Sequence, residues 1–471
     1  MTLIAHDADS PAPRAIGLTM RLRTLAADLL IGDGERADML RGAFVALFIR
    51  VTSAALLYVT QVVMARWMGA SDFGVYVLVW TVVLVLGGLS NAGLSVAMMR
   101  LLPHYDERGE GALARGLMFY GRGGALAIST AVAAIAAACL IAYPGVVAAP
   151  YAAPLLLAFL CVPLVTLSDL HDGIGRAHRW MIAGLMPPYI LRPLLILLAV
   201  LAAPALGLPA TAETAVLAAI GATWIAALIQ FLLIERLRHQ RPKPPTRAAD
   251  LRTWVATAWP LFVIAGCEIL LQTADVMIVS AFLSPADVGI YFAAAKTMAL
   301  VLFVHYAVGS ASASRFSAHN ATGDRNALAR TVRDAVQLTF WPSLLGAATI
   351  LALGPFLLSL FGPGFEAGLP AMIILAVGFL IRAAMGPSEF LLNMTGHQRT
   401  CAAVLAIAAA TNIALGIILV PRFGMVGAAI ATATGVALVG LLNWRLTHRK
   451  LGLSVAIWSN FGARARAAGD A

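Results

Sequence analysis

Long apolar runs follow one another along this chain, and short polar segments separate them. A helix needs about 20 mostly apolar residues to cross a bilayer. The pattern therefore predicts an all-α polytopic membrane protein with twelve transmembrane helices, six in each half of the chain. The predicted spans are 43–66, 74–98, 116–142, 151–171, 181–203, 213–234, 254–281, 288–311, 334–360, 370–394, 400–420 and 424–446.

Polar segments divide this pattern into five parts. Residues 1–40 predict a cytoplasmic N-terminal extension, in which Arg21 to Ile31 forms either a short amphipathic helix on the membrane surface or disordered chain. Residues 235–252 form a polar linker whose prolines break any helix. The linker separates a first lobe, 41–234, from a second lobe, 253–446, and residues 447–471 form a cytoplasmic tail.

One sequence motif occurs in both halves. Asp72-Phe-Gly-Val-Tyr76 returns as Asp287-Val-Gly-Ile-Tyr291, at an offset of 215 residues, and Arg100 meets Arg315 at the same offset. A repeat at a fixed offset indicates one structural unit used twice. Since six spans is an even number, both halves insert in the same direction, and we expect a pseudo-twofold axis along the membrane normal.

Composition and charge support this topology. The chain is 61% hydrophobic and 12% charged, with a formal net charge of +10. Of the loop Lys and Arg residues, Arg66 and Arg422 alone lie on one side of the membrane. The positive-inside bias then places both termini and the linker in the cytoplasm. The same bias accounts for the basic charge without a nucleic-acid partner.

Five cationic residues lie inside predicted spans, where an unpaired charge costs about 2.5–3.5 kcal/mol on insertion scales. They are Arg50, Arg122, Arg192, Lys296 and Arg382. Arg50 and Arg122 either reach the cytoplasmic interface with long side chains or line a polar interior. The other three either form structural ion pairs or bind substrate. Guanidinium groups suit phosphate because their fork bonds two oxygens.

The acids predicted to be buried all lie in the second half. Glu268 and Asp275 are seven residues apart and share a helix face, and Glu389 is the third. Glu268 and Asp275 either pair with Lys296 and Arg382 or act in coupling and gating with Na⁺ or H⁺. Because the first half has no obvious acid in mid-span, we expect an unpaired cationic cavity there that attracts anions.

Motifs of enzymatic chemistry are not found. The chain has no phosphate-binding Gly-x-x-x-x-Gly-Lys-[Ser/Thr] and no His-Glu-x-x-His, and its predicted outer loops are too short for a catalytic domain. Asp169, His171 and Asp172 form a weak metal-site candidate and are better explained as interfacial polar residues. The sequence predicts a non-enzymatic protein without a cofactor or a metal.

Several motifs together resemble those of the polysaccharide-export flippases of the MATE-like MOP superfamily. They are Ala65-Arg-Trp-Met-Gly-Ala-Ser-Asp72-Phe-Gly-Val-Tyr76, Asp287-Val-Gly-Ile-Tyr291 with Lys296, Phe361-Gly-Pro-Gly-Phe365 and Pro421-Arg-Phe-Gly424. The resemblance implies a V-shaped transporter of two six-helix lobes that moves undecaprenyl-pyrophosphate-linked oligosaccharides between leaflets by alternating access. It also implies a polysaccharide polymerase and glycosyltransferases as functional partners.

The resulting hypothesis is a flippase for surface polysaccharide synthesis. Arg50, Arg122 and Arg192 would hold the pyrophosphate, and Lys296 and Arg382 would assist or would gate by pairing with Glu268 and Asp275. One alternative is a cation-coupled multidrug exporter of the same fold, which favours an acidic cavity. Others are a membrane glycosyltransferase, which needs a larger outer loop, and a scaffold protein, which needs no buried cations.

Overall fold

The computed structural model describes residues 35–240, 246–453 and 455–459, and within these ranges it contains helices and no strand. Residues 1–34, which include Arg21 to Ile31, lie outside the described residues, as do 241–245 of the linker and most of the tail. The described chain is thus all-helical, as the apolar pattern predicts.

The first half begins with a long helix and ends at the linker. Its helices are α1 Glu35–Ser90, α2 Leu94–Glu107, α3 Gly111–Ala142, α4 Ala149–Ala158, α5 Val162–Ala177, α6 Met181–Met186, α7 Arg192–Ala202 and α8 Ala212–His239. A 3₁₀ turn, Phe159–Cys161, joins α4 to α5, and a π-helical turn, Pro187–Leu191, joins α6 to α7.

The second half has a similar order of long and broken helices. They are α9 Leu251–Phe282, α10 Pro285–Ala299, α11 Leu302–Ala321, α12 Arg325–Ala352, α13 Gly354–Ser359, α14 Leu369–Ala384, α15 Ser388–Met394 and α16 Gln398–Leu451. A 3₁₀ turn, Phe365–Gly368, precedes α14.

Ten helical stretches of the described chain are long and apolar enough to cross a membrane. The predicted count was twelve, and two of the ten stretches, Phe48–Ser90 and Gln398–Leu451, each cover two predicted spans. Each of these contains one glycine with non-helical backbone angles, Gly69 in α1 and Gly424 in α16. The chain is therefore a multi-pass membrane protein, and the difference in count lies at these two glycines.

At Gly424 the chain of α16 folds back on itself. A Cβ built on Gly427 would lie 2.4 Å from the carbonyl oxygen of Leu419, and one on Gly435 would lie 3.1 Å from the Cβ of Asn412. In a straight helix Asn412 and Gly435 would be about 34 Å apart. The two parts of α16 are therefore antiparallel neighbours, and small residues allow them to pack closely.

Helix α1 also changes direction, at Gly69. The ring of Phe361 contacts Tyr58, at 5.5 Å between centroids, and Phe73, at 6.2 Å. Tyr58 and Phe73 would lie about 22 Å apart in a straight helix. Both therefore reach the same aromatic cluster because the φ of 78° at Gly69 turns the chain.

The two halves meet through the repeated motif itself. A Cβ on Gly74 would lie 1.7 Å from the carbonyl oxygen of Pro285 and 2.9 Å from the nitrogen of Gly289. A Cβ on Gly289 would lie 2.6 Å from the carbonyl oxygen of Ala70 and 3.1 Å from the nitrogen of Gly74. Gly74 and Gly289, which are repeat counterparts, thus contact each other. Gly74 also contacts Pro285, and Gly289 contacts Ala70, the repeat counterpart of Pro285. This reciprocity is the property of a local twofold axis. We call this direct contact of the two halves their closed end.

Candidate functional site: a polar cleft between the two halves

Arg192 lies where the π-helical turn ends and α7 begins. Pro187, Pro188 and Pro193 lack backbone N–H groups, so regular α-helical hydrogen bonding is interrupted beside it. The Arg192 guanidinium lies over the ring of Trp80, at 5.4 Å from its centroid, and interacts electrostatically with Asp169. Interrupted helices of this kind often mark functional sites in membrane proteins.

Arg50 lies beside a second group of polar residues in the first half. Its guanidinium is 4.8 Å from the centroid of the Tyr189 ring, and Arg50 itself is exposed. The Asp172 carboxylate accepts two hydrogen bonds of 2.7 Å from Arg176, one turn later on α5. Asp172 also interacts electrostatically with Arg50. Arg50 therefore faces a carboxylate that another arginine already binds.

In the second half, Arg382 forms an ion pair with Glu389. Arg382 Nη2 donates hydrogen bonds of 2.8 and 2.7 Å to the two Glu389 oxygens, and Nε2 of His305 lies 3.3 Å from Oε1. The helical structure is interrupted between α14 and α15 at Gly386, whose φ is 61°. This break lets side chains from two consecutive helices meet. Arg382 is thus bound by Glu389 rather than by Glu268.

Asp275 and Lys296 occupy neighbouring positions near the repeated motif. The buried Asp275 carboxylate accepts a hydrogen bond of 2.9 Å from Tyr291 and lies 3.4 Å from the Thr432 hydroxyl. Lys296 Nζ lies over the Phe292 ring at 5.2 Å and interacts electrostatically with Asp275. The Lys296 side chain is exposed in the described chain.

Glu268 connects the polar groups of the two halves. It is exposed on α9, accepts a 3.4 Å hydrogen bond from Gln272, and interacts electrostatically with Arg50 and Arg382. These two arginines belong to different halves of the chain. Charged side chains of both halves thus lie near one another at Glu268, and we call this region the cleft.

Arg122 lies apart from this cleft. Its Nη1 is 2.5 Å from Oε1 of Glu235, and its guanidinium is 5.8 Å from the Phe231 centroid on the same helix, α8. Of the five cations proposed from the sequence, Arg50 and Arg382 are linked electrostatically through Glu268, and Arg50 and Arg192 through Tyr189. Lys296 lies near Asp275. The structure places Arg122 in a pocket on the side of the first half, with Arg115, Arg238 and Arg247.

Sequence reasoning misassigned several polar partners in the first half: it explained Asp169 and Asp172 as interfacial residues, and its expectation of no acid beside the cations there is wrong. Asp169 and Asp172 lie beside the cations of the cleft. Glu235, which the sequence assigned to the linker, lies inside α8. The spacing of Asp172 and Arg176 by four residues was a usable signal, because such pairs share a helix face. Tyr189 and Trp80 carried no such signal. Within the described ranges, no group of three or more His, Cys, Asp and Glu residues could hold a metal ion.

Free cations distinguish this cleft from a fully neutralised core. Arg176 and Arg382 are bound to carboxylates, whereas Arg50, Arg192 and Lys296 form no ion pair within 4.0 Å with any described residue. Their nearest described partners include aromatic rings, which hold a cation without using up its hydrogen-bond donors. The cleft can therefore donate hydrogen bonds to a bound anion at three separate places.

Comparison with known protein families gives two matches. The family model described as "Polysaccharide biosynthesis protein" matches residues 39–318, and the MatE model matches residues 260–418. A protein from Haloferax volcanii named "Probable flippase AglR" is 25% identical over 206 residues, which are 43% of this chain and 43% of that protein. The aligned stretch thus spans less than half the length of this relative.

Solved structures share the fold at low sequence identity. An inward-facing multidrug resistance MATE family transporter of the MOP superfamily superposes with a TM-score of 0.70 at 13% identity, covering 86% of this chain and 98% of that one. The lipid II flippase MurJ in an inward closed conformation has the same TM-score at 14% identity, covering 86% and 87%. A MOP superfamily transporter from Pyrococcus furiosus gives 0.62 at 12% identity, covering 90% and 98%.

These matches confirm the resemblance read from the repeated motifs. The family match extends over more than half of the chain, and the superposed structures establish the fold of a membrane transporter. The chain belongs to the polysaccharide biosynthesis protein family and has the MATE-like fold of the MOP superfamily of transporters.

Proposed function

We propose that this protein flips an undecaprenyl-pyrophosphate-linked oligosaccharide from the inner to the outer leaflet of a bacterial inner membrane. The observation that carries the proposal is the pair of free guanidinium groups in the cleft, Arg50 and Arg192. Each is held against an aromatic ring and keeps its hydrogen-bonding fork for a ligand. A pyrophosphate offers this fork several oxygens with the right geometry.

Lys296 and Arg382 have different parts in this proposal. Lys296 is exposed in the cleft and supplies a third positive charge to the substrate. Arg382 is buried and held by Glu389, so it supports the cleft wall. Glu268 interacts with Arg50 in the absence of substrate and would release it when the pyrophosphate enters. Glu268 and Asp275 are the groups that would couple this exchange to Na⁺ or H⁺.

An apolar edge lies beside the cationic cleft. Tyr58 on α1 and Thr297 on α10 are joined by a 3.1 Å hydrogen bond towards the closed end. Farther from that end, large apolar side chains of α1 and α11 are exposed, among them Phe48, Val51 and Phe303. A polyprenyl tail could remain in the lipid along this edge while the sugars cross the polar cleft.

The proposed transport cycle needs the predicted topology. Twelve spans arise when α1 and α16 each cross the membrane twice, around Gly69 and Gly424. Two six-helix lobes, with both termini and the linker in the cytoplasm, would then rock about the contact of the repeated motif. This arrangement also presents the substrate to glycosyltransferases inside the cell and to a polysaccharide polymerase outside it.

The test is a lipid inventory of cells that lack the gene and carry a plasmid copy. Without the gene, a polyprenyl-pyrophosphate oligosaccharide should accumulate and surface polysaccharide should disappear, and the wild-type copy should reverse both changes. Plasmid copies with Arg50→Gln or Arg192→Gln should fail to reverse these two changes. A copy with Arg66→Gln should reverse them, because Arg66 is exposed and is one of the two loop cations predicted for the outer side. An unchanged lipid pool in cells without the gene would refute the proposal.

A multidrug exporter of the same fold is the second candidate. It is favoured by the exposed carboxylate of Glu268, which could bind an organic cation. The same cells distinguish the two functions, because loss of an exporter would make them sensitive to cationic drugs and leave the lipid pool unchanged.

A further inference from the structure

A second basic pocket, of about 560 Å³, lies on the side of the first half. It is formed by α3, by α8 and by the chain just before α9. Arginines supply most of the charge in its lining: Arg115, Arg122, Arg238 and Arg247, with Glu235 as the acid. The pocket is separate from the cleft, and the transport proposal does not use it.

Glu235 neutralises only part of this positive charge. Arg122 Nη1 binds Oε1, and Arg238 binds both oxygens of the same carboxylate. The Nε and Nη2 atoms of Arg122 are buried and have no hydrogen-bond partner in the described chain. Buried guanidinium donors are normally satisfied. Arg122 lines the pocket, so two unpaired guanidinium donors lie at its wall.

Arg247 is held over the same pocket by contacts of the adjacent backbone. Its guanidinium lies 3.9 Å from the centroid of the Phe119 ring. The next residue, Ala248, donates a 3.0 Å hydrogen bond to the Ala112 carbonyl, and a Cβ on Gly116 would lie 1.7 Å from the Ala248 carbonyl oxygen. The glycine therefore allows the linker to pack directly on α3.

The chain leaving the linker is fixed at a second point. The Asp250 carboxylate caps α9 by accepting a 3.1 Å hydrogen bond from the backbone nitrogen of Thr253. Hydrogen bonds from Thr253 hold the pKa of Asp250 below its usual value. With two anchors directly after it in the chain, Arg247 is positioned in advance of any ligand, which lowers the entropy cost of binding.

The outer side of the pocket is apolar. Phe119, Tyr120, Leu126 and Phe231 are exposed around it. In α3, only 17% of the most apolar window is buried, so this helix lies at the periphery of the bundle. Gly124 and its neighbour Gly123 have no atom within 4 Å of a built Cβ. They leave open space, which we call the groove, beside the pocket that the arginines line.

We propose that this pocket binds the headgroup of an anionic phospholipid. The phosphate would accept hydrogen bonds from Arg122 and Arg247, and an acyl chain would lie in the groove at Gly123 and Gly124. Basic pockets between helices on the cytoplasmic side of a membrane suit such headgroups. A zwitterionic lipid would bring a quaternary ammonium into the same positive field and would bind less well.

The test measures lipid binding to the purified full-length protein by native mass spectrometry. The probes are dioleoylphosphatidylglycerol, dioleoylphosphatidylcholine and inorganic phosphate. Arg247→Gln should weaken phosphatidylglycerol binding about tenfold through loss of one charged fork. Gly124→Leu, which fills open space and leaves every charge in place, should weaken it to a similar extent. The matched control is Arg330→Gln, the repeat counterpart of Arg115 in the second half.

Each outcome bears on the proposal. A selective loss in Arg247→Gln and Gly124→Leu, with Arg330→Gln unchanged, supports it. Equal binding of phosphatidylcholine overturns it, and so does equal weakening by Arg330→Gln, because the attraction is then unspecific. Competition by millimolar inorganic phosphate, together with full binding in Gly124→Leu, would show a soluble-anion site and overturn the assignment to a lipid. Melting temperatures measured in phosphatidylcholine confirm that each variant is folded.

Discussion

Arg382 and Glu389 form an ion pair across the break between α14 and α15, with Nη2 of the arginine 2.7 and 2.8 Å from the two carboxylate oxygens. Both side chains are largely buried, at 8% and 18% exposure. His305 approaches the same carboxylate from α11. One acid therefore ties three helices of the second half together.

Replacing Glu389 by Gln should destabilise the protein by about 3–5 kcal/mol, because the buried charge of Arg382 then has no compensating carboxylate. The measurement is thermal or denaturant unfolding of the purified protein in detergent. Glu366→Gln removes an exposed acid and serves as the control. If the ion pair is the cause, adding Arg382→Gln to Glu389→Gln should recover part of the loss. A double variant less stable than Glu389→Gln would contradict this explanation.

Arg192→Ala should abolish transport and leave insertion and folding intact. The guanidinium lies over Trp80 without an ion pair, so its removal leaves no buried carboxylate bound to a missing partner. Arg192→Lys should restore little activity, since an ammonium cannot bind two phosphate oxygens as a fork. The readouts are complementation of the polysaccharide defect and the amount of protein in the membrane. Normal complementation by a well-expressed Arg192→Ala protein would remove this residue from the substrate site.

Gly74→Ala should open the closed end of the cleft. The new methyl group would lie 1.7 Å from the Pro285 carbonyl oxygen, and backbone on both sides leaves no side chain to move away. The measurement is labelling of a cysteine introduced as Lys296→Cys in a cysteine-free background, by an impermeant maleimide added from outside. Labelling should accelerate several-fold in Gly74→Ala. Gly123→Ala, where the methyl group meets open space, should leave the rate unchanged.

Gly427→Ala should destabilise the helical hairpin of α16. A Cβ there would lie 2.4 Å from the Leu419 carbonyl oxygen, so the two antiparallel parts would have to separate. Overpacking of this kind costs about 1–3 kcal/mol. Unfolding in detergent would measure the loss, and Gly221→Ala, which meets no atom within 4 Å, is the control in an apolar helix. Equal stability of the two variants would argue against tight packing at the hairpin.

The sequence was sufficient for the membrane class, for the family and for the repeated motif, because these depend on local composition and on residue spacing. It also picked out the five cations in apolar spans, since a charge in an apolar span is conspicuous in any sequence, and their role in a substrate site stays a prediction. The predicted spans differ from the observed helices at Gly69 and Gly424, because each of these glycines lies within one continuous helical stretch. The domain boundaries stay predictions.

Pairing was harder to predict than position. Glu389 was named among the buried acids, but its contact with Arg382 depends on a left-handed residue, Gly386, between two helices. Arg122 looked equivalent to Arg50 because both lie shallow in their spans. Only the ion pair of Arg122 on α3 with Glu235 on α8 shows that Arg122 faces a different pocket. Depth along a span can be counted from residues, whereas the direction in which a helix faces depends on its neighbours.

The reciprocal contact of Gly74 and Gly289 has a consequence for how such a chain can evolve. After a duplication, two copies of a segment usually diverge freely, because each has its own surroundings. Here each copy is the surroundings of the other, so a side chain gained by either glycine would disturb the same few atoms. The duplicated motif therefore limits its own divergence. Similarity between its two copies can persist at this point while the rest of the two halves diverges in sequence.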